Sequence, residues 1–310
     1  MSFENSDLKK HGIVVINKLP QNDINEISKY VADTLFSKFP TLNFNYDALY
    51  DNISNLQMYY AQMPDGLSAA CYYYKNSSIY FCEGVNLSEL KKLAVHEIIH
   101  HFQEVKTPGG RLYKLGLSSF LGAKTFGNSM NEAAVQFMAA YATNEERDVV
   151  TYYGIKLPTD SPNYYPIITN LIKQIAYLVG YGVLFESCFF ADNKFYDSFK
   201  NLFGESNAYK IQEYFDRIMD IEENIIKLSE AEEDDEIVIL SVEDNIELYD
   251  YLRDLDINLK EKYIVERKDP FNGPIYLKSE QNNEKIVAFN AADMIEVYKK
   301  NKDLEETDDE

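Results

Sequence analysis

The chain has 310 residues, 45% of them hydrophobic and 26% charged, which suits one large globular domain or two smaller ones. Its 51 acidic residues outweigh 30 basic ones for a net charge of −21, a balance that argues against nucleic acid and anionic membrane surfaces as partners. Three cysteines (Cys71, Cys82, Cys188) do not make a disulfide framework, and the first residues, Met1-Ser2-Phe3-Glu4-Asn5, are polar and acidic rather than signal-like.

Taken in chain order, Gly12–Ile16 reads as a strand and Asn22–Phe39 as an amphipathic helix with Ile24, Ile27, Val31, Leu35 and Phe36 on one side. Leu56–Met63 reads as a strand. Ala69–Tyr74 and Ser78–Cys82, rich in aromatics, form a hairpin around Lys75-Asn76-Ser77. Asn86-Leu87-Ser88-Glu89 has the form of a helix N-terminus. Leu90, Leu93, Ala94, Ile98, Phe102 and Val105 then recur at helical spacing until Thr107-Pro108-Gly109-Gly110 stops the run. A helix rich in small residues follows at Asn131–Ala140.

Beyond Asp148 the character changes. Tyr152–Pro166 reads as an irregular connection, and Ile167–Phe190, Phe195–Phe203 and Ala208–Leu228 as helices. The longest apolar stretch, Ile175–Phe185, is too short to span a bilayer, so a cytoplasmic chain is expected, with non-classical export still open. Glu230–Glu236 reads as an acidic linker. After it come a strand at Ile237–Leu240, a helix at Ile246–Leu255, strands at Tyr263–Val265 and Ile286–Phe289, a closing helix at Ala291–Lys300, and a disordered acidic tail.

The most informative segment is His96-Glu97-Ile98-Ile99-His100, followed by His101, which together hold three of the four histidines. Residues four apart on a helix lie one turn above the other on a single face. Two imidazoles placed so can both reach one Zn²⁺ at about 2.0–2.1 Å, and Glu97 can touch the metal-bound water without binding the ion. His101 lies one position off that face. His11, beside Lys9 and Lys10, reads as a surface residue.

With its strand, helix, strands, edge hairpin and H-E-x-x-H helix, the region 12–145 resembles the zincin metallopeptidases, in their thermolysin-like gluzincin branch. That resemblance implies an α+β fold. Residues 1–148 would be a zincin-like zinc-binding part, a small twisted sheet with an edge hairpin and the active-site helix. Residues 149–229 would be a helical lower wall of the cleft, 230–236 a linker, 237–300 a small α/β module, and 301–310 a tail. It implies Zn²⁺ as cofactor, with a third ligand from a glutamate on a later helix.

Glu132, in Asn131-Glu132-Ala133-Ala134, is the best candidate for that ligand. Ser129-x-x-Glu132 also fits a capping box that would occupy this carboxylate. Glu104 lies two turns from His96, roughly 12 Å along the helix, too far to complete the site. Glu145 and Glu146 are substitutes in principle, with solvated surface charges the better reading. The segment Lys106–Ser129, with five glycines, would be a mobile lid.

The implied function is zinc-dependent peptide-bond hydrolysis, with Glu97 as general base for a metal-activated water. Tyr141, Arg147, Tyr152 and Tyr153 are candidates for stabilising an oxyanion. The strand Ala70-Cys71-Tyr72-Tyr73 is a candidate edge for pairing with a peptide or protein substrate. Two other readings stand beside the endopeptidase: a scaffold of this fold that binds or regulates without cleaving, and an intracellular protease of one protein target.

Overall fold

The computed structural model describes residues 8–10, 12–64, 69–121 and 124–300. His11 and the tail 301–310 lie outside the described residues. The chain divides into two compact units, Met1–Arg147 with Asp160–Asp216, and Asp148–Thr159 with Arg217–Glu310.

In the first unit, strand β1 (Val14–Lys18) leads to helix α1 (Gln21–Lys38), which buries Ile24, Ile27, Val31 and Leu35 on one stripe. Helix α2 (Tyr46–Ser54) and strands β2 (Gln57–Gln62), β3 (Ala70–Tyr73) and β4 (Ser78–Cys82) follow. The sheet order is β1-β2-β4-β3, with β2 and β4 parallel and the other pairs antiparallel, so β3 forms an edge. Helix α3 (Leu87–Phe102) starts where the Asn86 side chain accepts from the Glu89 amide. Its Leu90, Ala94, Val95, Ile98 and Ile99 are buried, and it packs on α1 and β3.

The stretch Lys106–Ser129 is not a lid. It forms an antiparallel meander of β5 (Glu104–Lys106), β6 (Leu112–Leu115), β7 (Ser118–Leu121) and β8 (Lys124–Phe126). Two of the glycines that suggested mobility, Gly110 and Gly116, sit at the tight links between its strands with φ of 78° and 53°, where a side chain is strained.

Helix α4 (Asn128–Thr143) is buried along nearly its whole length. It packs on α3 and α5, and its Ala133, Ala134, Ala139 and Ala140 keep the packed surface thin.

The single helix expected over 167–190 is two, α5 (Pro166–Val179) and α6 (Tyr181–Phe190), which meet at 112°. Gly180, at φ 118°, makes the break. Among the described residues no single helix is long and apolar enough to cross a membrane. This bent pair reaches the length and composition only together, and it keeps Ile168, Ile172, Leu184 and Phe189 buried in the fold. Helices α7 (Lys194–Phe203) and α8 (Glu205–Glu223) complete the unit, α8 continuing past its boundary.

In the second unit, β9 (Asp148–Tyr152) and β10 (Ile155–Thr159) form a hairpin where an irregular connection was expected. The remainder is a six-stranded antiparallel sheet rather than an α/β module. Its strands are β11 (Ile225–Lys227), β12 (Glu236–Val242), β13 (Lys262–Lys268), β14 (Ile275–Ser279), β15 (Glu284–Val287) and β16 (Ile295–Lys299), in the order β11-β16-β12-β13-β14-β15. Two helices, α9 (Ile246–Asp254) and α10 (Phe289–Ala292), interrupt it. The closing helix expected at Ala291–Lys300 is thus the end of α10 followed by β16. Ile295 and Val297 alternate inward there, the period of a strand.

The acidic stretch 230–236 is equally structured. Asp235 is buried, its carboxylate accepts from the Glu232 amide, and Lys299 pairs with it at 2.9 Å. The backbone there pairs with Val265 in both directions. A run of like charge becomes a turn because one of its members has a local donor and a cation to satisfy it.

Candidate metal centre

Helical periodicity places His96 and His100 one turn apart on α3, with their Nε2 atoms 3.1 Å from each other. Glu132, in the second turn of α4, faces both. Its Oε1 lies 2.9 Å from His96 Nε2 and its Oε2 3.3 Å from His100 Nε2. One ligand atom from each of the three falls within 4.8 Å of the others, the one such group of three found among the described residues. A tetrahedral ion with bonds of about 2.0–2.1 Å holds neighbouring ligand atoms roughly 3.3 Å apart, so the spacing fits a first-row divalent metal. Three protein donors leave a position for water.

Ser129 does not act as the alternative cap. Gly127 precedes the first turn of α4, and the Ser129 hydroxyl donates to Asp216. The Glu132 carboxylate is therefore not engaged at its own helix start.

The electrostatics are those of a cation site. Burial pulls His96 down, but the Glu132 carboxylate outweighs it and brings the imidazole up to about 9. Burial alone would raise Glu132; the charges and hydrogen bonds of His100 and His96 hold it far below the usual carboxylate range. Each partner thus favours the other's charged form.

Glu97 is 7% exposed and is raised by burial, offset in part by His96 and His100. Its Oε2 accepts from the Tyr72 amide at 2.7 Å. It stands close enough to feel all three members of the cluster, and its remaining lone pairs can receive a hydrogen bond from water beside the ion.

The imidazoles are also held from behind. His96 Nδ1 lies 2.9 Å from Gln136 Oε1, and His100 Nδ1 lies 3.2 Å from Gln103 Oε1. Gln136 in turn donates to Ser161, and Asn131 donates to Gln103. Sequence reasoning missed all four. A signal existed for Gln136, which lies four residues after Glu132 and so on the same helix face.

The other candidates are placed elsewhere. Ala70, Cys71, Tyr72 and Tyr73 do form the edge strand β3, beside α3. Tyr72 spends its hydroxyl on Glu104, at 2.8 Å, and His101 Nδ1, at 3.0 Å, while His101 Nε2 meets Asn52. His101 thus belongs to a separate network.

Tyr141, 47% exposed, packs on Phe39 and Phe185 two turns beyond Glu132. Arg147 lies 3.9 Å from Asp160. Tyr152 and Tyr153 belong to the second unit, where Tyr153 donates its amide to Leu240 and Lys260 lies over its ring.

Among the comparisons with known proteins, one family model matches, and it falls in the second unit. Residues 226–299 match the FeoA domain family, so the sheet of the second unit is similar to that domain. No curated protein matches the chain. Among solved structures, the chain is similar to an iron uptake regulatory protein, FeoA, at 17% identity over 24% of this chain and 99% of that one, with a TM-score of 0.23. It is similar to ScaR with bound Zn²⁺ at 17% identity over 49% and 82%, TM-score 0.24. For the metal-dependent transcriptional regulator MtsR the figures are 15% identity, 56% and 87%, TM-score 0.24.

The FeoA domain match overturns the zincin resemblance as a reading of the chain. The zincin-like fold class, the hydrolase and endopeptidase assignment, the protease of a single target and the peptide or protein substrate are accordingly withdrawn. The physical reason is that H-E-x-x-H reports a helix face and nothing of the topology around it, and a site of this kind can be carried by unrelated folds. The exclusion of nucleic acid is withdrawn as well. Net charge over a whole chain says little about any one face.

Proposed function

We propose that the first unit binds a divalent transition metal through His96, His100 and Glu132, and that the chain is a metal-binding regulatory protein rather than an enzyme. The observation that carries this reading is the convergence of two imidazole nitrogens and one carboxylate, at 2.9, 3.1 and 3.3 Å, on a common point. Two neutral nitrogen lone pairs and an anion do not gather so closely without a cation or proton between them. The regulatory half of the proposal is supported by the match of residues 226–299 to the FeoA domain.

Zn²⁺ is the ion we propose first. Two imidazoles and a carboxylate suit it, and the same donor set also serves Fe²⁺. Bound there, the ion would supply a Lewis-acidic link between α3 and α4. On loading, His96 would give up its Nε2 proton, Glu132 would stay ionised, and Glu97 would be placed to hold water at the remaining position. Loading would therefore exchange one proton for a tie between two helices, and a metal-dependent change in the protein would start at that tie.

The test is metal content of the purified full-length chain, followed by titration of the stripped protein with Zn²⁺ against a chromophoric chelator. One ion per chain is expected, lost in His96→Ala, His100→Ala and Glu132→Ala. A wild-type chain without affinity for Zn²⁺ or Fe²⁺, or Glu132→Ala binding as tightly as wild type, would refute the site.

A further inference from the structure

We infer that two hydrogen-bond relays, each anchored on a backbone group, fix both imidazoles with Nδ1–H turned away from the cluster and the Nε2 lone pair turned into it. Gln136 with Ser161, and Gln103 with Asn131, are on this account positioning residues for the metal. The inference rests on the metal-binding reading above and specifies what holds that site in register.

The first relay starts at a carbonyl. Ser161 Oγ lies 2.6 Å from the Tyr164 carbonyl oxygen, which has no proton to give, so the hydroxyl donates to it. The hydroxyl's single proton is then committed, and Ser161 Oγ meets Gln136 as an acceptor, at 2.8 Å. The Gln136 atom facing Ser161 is therefore the amide nitrogen, and the atom facing His96 Nδ1, at 2.9 Å, is the oxygen. An acceptor oxygen requires a proton on His96 Nδ1. Nε2 is the atom left for the ion.

The second relay starts at an amide. The Leu117 backbone N–H can only donate, and it does so to Asn131 Oδ1 at 2.9 Å. That turns Asn131 Nδ2 toward Gln103, which must present its oxygen, at 3.1 Å. The same Gln103 oxygen lies 3.2 Å from His100 Nδ1, which must therefore carry a proton too. Gln103 keeps this orientation although its Nε2 is buried without a hydrogen-bond partner among the described residues. An orphaned buried amide is costly, and it is tolerated here because the reverse orientation would set a donor against Asn131 Nδ2.

The parts are rigid. Gln103 and Ser161 are fully buried, and Asn131 and Gln136 nearly so. Neither relay contains a charged group, so each imidazole is oriented without the added basicity that a carboxylate partner would give it.

The experiment is a Zn²⁺ competition titration on full-length wild type, Gln136→Leu, Gln103→Leu, Ser161→Ala and Gln136→Glu, with thermal unfolding of each stripped protein alongside. The leucine variants are expected to bind about 10–100-fold more weakly, the usual effect of removing a partner behind a metal-bound histidine. Ser161→Ala frees the Gln136 amide to turn over and is expected to weaken binding several-fold. Gln136→Glu keeps the acceptor, adds charge, and is expected to bind more tightly than wild type.

A merely structural role would not produce that reversal of sign between leucine and glutamate at one position. In the zinc-loaded wild type, ¹⁵N spectra should show slowly exchanging Nδ1–H signals from both imidazoles, with the His96 signal lost in Gln136→Leu. Leucine variants within twofold of wild type, Gln136→Glu binding more weakly, or coordination through Nδ1 would each overturn the relays. If all variants bind Zn²⁺ alike, the metal site stands and the relays fall; if wild type binds none, both fall.

Discussion

Gly116 touches no proposed ligand, yet replacing it should loosen the metal. It sits between β6 and β7 at φ 53°, a region where an L side chain costs about 1–2 kcal/mol. A Cβ built on it would lie 2.4 Å from Asn131 Oδ1 and 2.5 Å from Gln103 Nε2. Neither neighbour has room to step aside, since their exposures are 1% and 0%. Moving them breaks the Leu117–Asn131 and Asn131–Gln103 hydrogen bonds, each worth about 1 kcal/mol when buried.

Gly116→Ala should therefore destabilise the stripped protein by about 3–4 kcal/mol and weaken Zn²⁺ at least tenfold. Gly110→Ala is the matched control. Its φ is 78°, nothing stands within 4 Å of its Cβ, and it should lose only the strain of about 1 kcal/mol with zinc affinity intact. Urea unfolding and chelator competition read both quantities. If Gly116→Ala costs no more than Gly110→Ala, or binds Zn²⁺ like wild type, the coupling from meander to imidazole does not exist.

Three further outcomes follow from the same geometry. His96 is raised from 6.5 to about 9, so its contribution to the stability of the stripped protein is full below pH 6.5 and is lost as pH climbs through 9. Glu132, held low, stays ionised throughout that window. The Tm of the stripped chain should accordingly fall between pH 6.5 and 9 while the gain on adding Zn²⁺ grows; a stripped Tm as flat as that of Glu132→Gln would contradict the pairing.

Lys114, 8% exposed, donates its ammonium protons to the Ala191 and Asp192 carbonyls and to Asn193 Oδ1 where α6 ends. Lys114→Met strands those acceptors, at a cost of about 2–4 kcal/mol in urea unfolding, and a loss under 0.5 kcal/mol would show that the contacts are not maintained in solution. In the second unit Leu277 is fully enclosed by the core of the six-stranded sheet, so Leu277→Ala should cost about 2–5 kcal/mol with zinc affinity unchanged; a loss of zinc binding would mean that the two properties are not separable.

What could be read from the sequence was what is local. The helix carrying His96 and His100 was legible because its apolar spacing and its Asn86 cap are written within twenty residues, and the strands at 57–62 and 78–82 because their aromatic and β-branched residues cluster. The meander was not legible. Its strands are three or four residues long, and its glycines carry the same letters whether they serve a mobile loop or a strained tight link. The break at Gly180 was hidden by an apolar run on both sides of it. The sheet of the second unit was misjudged at its last element, where Asn290-Ala291-Ala292 carries strong helical preference for barely a turn before Ile295 and Val297 take over.

The family inference failed for a related reason. An i, i+4 histidine pair around a glutamate constrains one turn of one helix and says nothing about the order of strands beside it. The parts that decide which tautomer each histidine adopts lie 17 to 65 residues away, in Leu117, Asn131, Gln136 and Ser161, and are brought together by tertiary packing, that of α4 on α3 among it. Gln103, behind His100, carries no spacing signal that marks it as part of a metal site, and Gln136, behind His96, carries only its place four residues after Glu132. Each becomes recognisable when its amide can be oriented, and that orientation is set by a single backbone N–H on one side and a single backbone carbonyl on the other.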